Sequence, residues 1–306
     1  MLFMKTLNGW DSWCKVFDSV EAFSPLAHAI FLKEGLSIKS PLQKLTPGTN
    51  AVFRADDWVI KLFAPMEASI DTKDDYHTEL SVMKFAMDHG ISVPKLIGYG
   101  ETRDRYLFRY LIMEYIPAVQ SIDELLASPA SVKMEFAERI KEILTKLNRP
   151  GPDPLPLLDL SDQSTRLKRM EGLNPALIHG LSLVAEEQDL SKPVVVHGDI
   201  TRDNLIIGSD GSVTLIDFAD SRLAPACYEL PALVFELFLC DKELVSAYIG
   251  KEDRERFLDA LIGGLSLHLF CGNILKDYFE QIDWPKDRIA SVPELKQLLQ
   301  DQFFSE

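Results

Sequence analysis

The sequence predicts an α+β, bilobal chain: an N-terminal antiparallel β-sheet lobe with one key helix, then a mainly helical C-terminal lobe. Three observations carry this. β-rich runs separated by turn signals dominate up to Pro117. One helical period, 74–90, interrupts them, and beyond Pro117 helical periods prevail around a single short β island. The 306 residues, 46% hydrophobic and 26% charged, have ordinary globular composition. Their length suits two lobes, 1–117 and 118–306.

Taken in order, residues 11–36 read as short helical segments, broken at Ser24-Pro25 and closed by Gly35. Stretches 42–45, 51–55 and 58–63 read as consecutive strands. They are turned by Pro47-Gly48-Thr49-Asn50 and by Asp56-Asp57, which makes an antiparallel meander. The helix over 74–90 takes its apolar positions from Leu80, Val82, Met83, Phe85, Ala86 and Met87, and Gly90 stops it. Stretches 93–98 and 106–115 complete the strands of the first lobe. In the second lobe Ser121 and Glu124 have the spacing of a capping box. A longer helix covers 131–147, and the proline-rich 149–159 connects it onward. The β island comprises 194–196, 205–207 and 213–216, with Ser209-Asp210-Gly211-Ser212 turning between the last two strands.

Charge excludes some functions. Lys and Arg total 32 against 47 Asp and Glu, a net charge of −15. Such a surplus repels nucleic-acid phosphates and anionic membranes, so neither is an expected partner. The acid is uneven: 15 acidic and 13 basic residues lie in 1–117, against 32 and 19 in 118–306. Cys14, Cys227, Cys240 and Cys271 are widely spaced, as in a reducing compartment. The N-terminal stretch lacks the apolar run and cleavage site of a signal peptide. The greasiest later stretch, 260–275, contains His268 and Asn273 and is shorter than the ~20 residues of a membrane span. A cytoplasmic protein is expected.

The chemistry-bearing segment is VVVHGDITRDNLIIGSDGSVTLIDFAD, residues 194–220. A strand delivers His197, Gly198 and Asp199 into a loop, Asn204 follows, and a hairpin ends at Asp217-Phe218. This is the order H-x-D-x(4)-N, hairpin, D-F of kinase catalytic centres. Phosphoryl transfer needs positioning and charge compensation more than covalent help. Asp199 suits the carboxylate beside the acceptor hydroxyl. Asn204 and Asp217 suit Mg2+, a hard cation that takes oxygen ligands. Such a centre also needs a strand lysine paired with a helix glutamate. Lys61 in WVIKLF and Glu79 in HTELSVMKFA fit, 18 positions apart. Gly48, Thr49 and Asn50, directly before the Lys61 strand, can offer backbone N–H groups to phosphates. The last strand of the first lobe can bind adenine through its main chain, around Met113, with the Glu114 carbonyl accepting and the Ile116 N–H donating. Val59 and Ile206 would flank the ring.

With these residues in view, the chain resembles the aminoglycoside phosphotransferase and choline kinase superfamily, a branch of the protein-kinase-like fold. The resemblance spans roughly 40–240 and is most specific at HGDITRDN (197–204) and LIDFAD (215–220). It implies Asp199 as catalytic base, Asn204 and Asp217 as magnesium ligands, and Lys61 with Glu79 as the phosphate-binding pair. It also implies His197 as a structural brace, 113–117 as the adenine-binding linker, and 220–238 as the helical continuation of several family branches. Two positions depart from the pattern: Asn148 follows Leu147 where a histidine is frequent, and Ala219 follows the Asp-Phe where glycine is frequent.

The expected activity is γ-phosphoryl transfer from ATP, or from GTP, with Mg2+, to a hydroxyl of a small molecule. The acidic second half favours a cationic, aminoglycoside-like acceptor, with Asp220, Glu229 and Glu236 as candidate acids of its wall. A metabolite kinase of choline, homoserine, sugar or amine type, and a catalytically silent nucleotide-binding module, remain alternatives.

Overall fold

A computed structural model describes residues 1–46, 48–70, 72–161 and 163–305. Pro47 of the expected turn lies outside them. The chain groups into two units: Met1–Ser81 with Val93–Pro117, and Val82–Ser92 with Ala118–Glu306.

The first unit is built on one antiparallel sheet. Its strands are β1 (Gln43–Lys44), β2 (Ala51–Ala55), β3 (Trp58–Leu62), β4 (Leu96–Arg103) and β5 (Leu107–Glu114), in spatial order β1-β2-β3-β5-β4. The expected meander is therefore present, and β3 is central, paired on both sides. Lys61 lies opposite Val52 on β2 and Leu111 on β5, so it is not an edge-strand lysine. Helices α1 (Trp10–Cys14) and α2 (Val20–Lys33) precede the sheet, and α3 (Lys73–Asp88) follows β3.

One expectation fails here. Helix α2 does not break at Ser24-Pro25 but runs through Pro25. A proline inside a helix removes one hydrogen bond and crowds the preceding turn. Pro25 sits on the exposed face, where water can solvate the unpaired carbonyl. The opposite face buries Phe23, Leu26, Ala27, Ile30 and Phe31, and that burial outweighs the local penalty. Ser19 caps the start by accepting from the Ala22 N–H at 3.2 Å.

The core of this unit is an aromatic cluster. Phe23 lies 4.9 Å from Phe3, 5.8 Å from Trp13 and 5.4 Å from Phe53, ring centre to ring centre. These spacings are those of favourable tilted and edge-to-face pairs.

The second unit is helical around two small two-stranded sheets. Its helices are α4 (Ile122–Leu126), α5 (Ala130–Leu147), α6 (Gln163–Arg169), α7 (Pro175–Glu186), α8 (Lys242–Ile249), α9 (Arg254–Leu267), α10 (Cys271–Gln281) and α11 (Val292–Phe304). The capping box of α4 is complete: Ser121 Oγ accepts from the Glu124 N–H, and Glu124 accepts from the Ser121 N–H. Strand β6 (Val194–Val196) pairs with β9 (Arg222–Ala224), and β7 (Leu205–Ile207) with β8 (Val213–Leu215).

The stretch 220–238 corrects a second expectation. It is not continuously helical: β9 comes first, then a 3₁₀ turn (Ala226–Glu229), then a π-helical stretch (Ala232–Leu237). Three residues are too few to announce a strand by alternation; β9 forms because β6 offers it a ladder. Among the described residues no helix is long and apolar enough to cross a membrane.

Phe23→Ala should destabilise the first unit by about 3–5 kcal/mol, the usual range for a buried phenylalanine. Denaturant unfolding followed by tryptophan fluorescence measures it; a loss below about 1 kcal/mol contradicts the packing described.

Candidate active site

In the second unit, β6 ends at Val196 and hands the chain to a loop running through His197, Gly198 and Asp199 to Asn204. The Asn204 amide Nδ2 donates to the Asp199 carboxylate at 2.6 Å and to the Asp199 carbonyl at 2.9 Å. These donations leave Asn204 Oδ1 as the atom able to meet a cation. Hairpin β7–β8 then returns the chain, and the Ile216 N–H donates to the Asn204 carbonyl at 3.0 Å. Asp217 follows at φ 61, a left-handed conformation that aspartate tolerates better than most residues. Phe218 beside it is buried, its ring centre 4.7 Å from that of His197. His197 Nε2 lies 3.0 Å from the Ile216 carbonyl oxygen, so the ring braces the loop against the strand end.

Burial pushes the Asp199 carboxyl up to about 6; Asp220 adds to the rise, the Asn204 hydrogen bond opposes it, and Asp217 and Asp203 add again. Asp199 is thus a carboxylate of raised basicity, as a proton acceptor requires. Among the described residues no group of three or more His, Cys, Asp and Glu side chains is arranged to hold a metal. Asn204 and Asp217 still fit Mg2+, which commonly takes one or two protein oxygens and completes its shell with phosphates and water.

The first unit carries the other half of the expected set. Lys61 Nζ and Glu79 Oε2 are 2.7 Å apart, the residues 4% and 1% exposed. A pair so enclosed holds the ammonium in one place. The expected phosphate turn precedes β2, so a whole strand separates it from the Lys61 strand β3; a Cβ on its Gly48 would meet nothing within 4 Å. The Thr49 carbonyl accepts from Trp13 Nε1 at 2.9 Å, and Asn50 Oδ1 from the Ala64 N–H at 3.1 Å. Asn50 is therefore a buried strut of the turn, while Gly48 and Thr49 are exposed. At the end of β5, Met113 pairs with Val59 in register. The Glu114 and Tyr115 N–H groups are taken by Lys95 and Asp57 carbonyls, whereas the Ile116 N–H has no acceptor among the described residues. Ile206, in the other unit, is half-buried and paired with Thr214.

Comparison with known proteins bears on all of this. The model of the phosphotransferase enzyme family, APH, matches residues 47–270.

The chain belongs to the APH family.

Similar solved structures include a choline/ethanolamine kinase family protein from Mesorhizobium loti: 21% identity, 87% of this chain and 90% of that one covered, TM-score 0.56. Wild-type aminoglycoside 2'-phosphotransferase-IIIa in its GDP complex aligns at 17% identity, covering 92% and 97%, with TM-score 0.60. The amicoumacin kinase hAmiN, in complex with AMP-PNP, Ca2+ and Ami, aligns at 16% identity, covering 90% and 91%, with TM-score 0.55. At these identities the likeness establishes the protein-kinase-like fold. No curated protein matches.

This APH-family chain also contains a residue whose place its sequence misstates. Glu229 was expected to be one of the acids of an acceptor wall; it is instead 1% exposed behind the loop. Its carboxylate accepts from the His197 N–H and, at 3.3 Å, from the Gly198 N–H. Burial pushes it up to about 7, while those two amides and the Asn148 side chain favour the charged form. Asn148, the departure at the end of α5, also donates to the Val195 carbonyl at 2.9 Å. The only sequence signal for Glu229 was an acid set in an otherwise apolar run, ACYELPALV.

Glu236, by contrast, is half-buried in the π-helical stretch and electrostatically close to Asp199. Burial pushes it up to about 7, and Asp199, Asp277 and Asp203 add to the rise. Between its ordinary 4.5 and about 7 the folded chain keeps a proton there that the unfolded chain releases. Stability must therefore fall as pH rises through that window. Glu236→Gln should flatten this fall, measured as urea midpoints at both ends of the window. An unchanged pH slope would contradict the burial of this carboxyl.

Proposed function

We propose that this chain transfers the γ-phosphoryl group of ATP or GTP to a hydroxyl of a small molecule. The observation that carries the reading is the Asn204–Asp199 hydrogen bond, with Asp217 returned beside Asn204 by hairpin β7–β8. Asp199 orients the acceptor hydroxyl and takes its proton as the oxygen attacks phosphorus. Lys61, fixed by Glu79, neutralises charge on the nucleotide phosphates. The N–H groups of Gly48, Thr49 and Asn50 add donors to the same phosphates. The Ile116 N–H and Glu114 carbonyl meet the base, and Met113 and Val59, cross-strand neighbours, pack against it. Asn204 and Asp217 are the residues to hold Mg2+, which when bound supplies charge neutralisation and orientation of the phosphates.

The acceptor we favour is a polyamine-bearing, aminoglycoside-like molecule. Asp199, Asp203, Glu236 and Asp277 share one negative neighbourhood, which suits a cation. The GDP, kanamycin, ATP and streptomycin complexes of related phosphotransferases accord with this. A metabolite kinase is the second reading, supported by the choline/ethanolamine kinase family neighbour. A coupled ADP-release screen with ATP and GTP against aminoglycosides, macrolides, choline, homoserine and sugars decides between them. Binding of nucleotide without turnover on any acceptor would instead indicate a silent binding module.

Asp199→Asn should lower kcat by roughly 10²–10⁴-fold, the range for loss of a general base, with nucleotide affinity nearly intact. Unchanged turnover would remove Asp199 from the reaction. Asp217→Ala should abolish the Mg2+-dependent part of the thermal stabilisation given by ATP; a wild-type Mg2+ response would exclude it as a ligand.

A further inference from the structure

Ser221 has no place in the activity proposed above, yet it is 1% exposed and stands where the loop of Asp199 meets that of Asp217. It directly precedes β9, whose Arg222 lies opposite Val196 of β6. Continued by one residue, that antiparallel register brings Ser221 across from His197. The Ser221 N–H donates to the Phe218 carbonyl at 3.1 Å and closes the turn that follows Asp217. The Ser221 hydroxyl lies 3.1 Å from the His197 carbonyl oxygen. A carbonyl can only accept, so the hydroxyl is the donor.

That carbonyl belongs to the peptide joining His197 to Gly198. The other side of the same peptide, the Gly198 N–H, donates to Glu229 at 3.3 Å. One rigid plane is therefore held on both sides, by residues from two different segments.

The residue after this plane explains why two anchors matter. Gly198 has φ +83°, and a Cβ there would overlap the Asp220 carbonyl oxygen, so glycine is required. Glycine is also the residue that resists rotation least. With one anchor the plane can turn about it and redirect Asp199, the next residue. The second anchor also comes from the segment of Asp217, so it ties one loop to the other. The His197 ring makes a similar tie, to the carbonyl of Ile216, just before Asp217.

We propose that Ser221 is a positioning residue: its hydroxyl fixes the His197–Gly198 peptide and thereby holds Asp199 in register with Asp217. This rests on the phosphotransfer reading of the site. The test compares Ser221→Ala, which removes the hydroxyl, with Ser221→Thr, which keeps it. Ser221→Ala should lower kcat roughly tenfold or more while the KM for nucleotide stays within about twofold, since a small misplacement of a reacting group is costly. Ser221→Thr should recover most of the loss. Hydrogen exchange of the Gly198 and Asp199 amides should quicken in Ser221→Ala and not in Ser221→Thr. A lower melting temperature with full turnover in Ser221→Ala would make the hydroxyl a support of the fold alone and overturns the proposal. Equal losses of kcat in the two folded variants overturn it too. Should the added methyl group unfold Ser221→Thr, the turnover and exchange of Ser221→Ala decide. If the wild-type chain turns over no acceptor, the phosphotransfer reading fails on its own, and exchange alone decides: amides unchanged in Ser221→Ala overturn the positioning role.

Discussion

A buried carboxylate with two backbone amides to hold is the constraint on which the second unit depends. Removing Glu229 from water is costly for its charged form, and burial raises it to about 7. The His197 and Gly198 N–H groups and the Asn148 amide offset that cost, but only in one arrangement of the loop. The same contacts hold the chain just after β6, so His197 reaches the Ile216 carbonyl and Asp199 reaches Asn204. Stability and site geometry here have one origin.

The acid excess of the chain acquires a location from this arrangement. Asp199, Glu229 and Glu236 all lie above their ordinary range, each first because it is buried. Their mutual repulsion is a local strain that a cation would relieve. The net charge of −15 is therefore not only a solvated surface. The Lys61–Glu79 pair of the first unit is of another kind, a cation enclosed with its partner.

Much of this was legible in the sequence where function is carried by polar residues set among apolar strands. HGDITRDN and LIDFAD stood out because charged and amide groups at fixed offsets bracket a hairpin. Lys61 and Glu79 could be paired because a strand lysine and a following helix leave few alternatives. What escaped depended on distant packing. Glu229 acts on amides 31 and 32 residues away, and the 3₁₀ turn that carries it packs on α9 and β6, both distant in sequence. Gly264 of α9 packs against the Cys227 backbone, a contact that no local pattern encodes. Helix α2 defeated the proline rule because its apolar face, not its local propensity, determines it. Strand β9 is too short to show any alternation of its own.

If Glu229 acts through the orientation of Asp199, removing both should be no worse than removing Asp199 alone. The direct measurement is a double-mutant cycle on kcat with Glu229→Gln, Asp199→Asn and the combined variant. The prediction is that Glu229→Gln slows the wild-type chain but leaves the Asp199→Asn background unchanged. Two losses that multiply in full would contradict it, and would make Glu229 a support of the fold with no hold on Asp199.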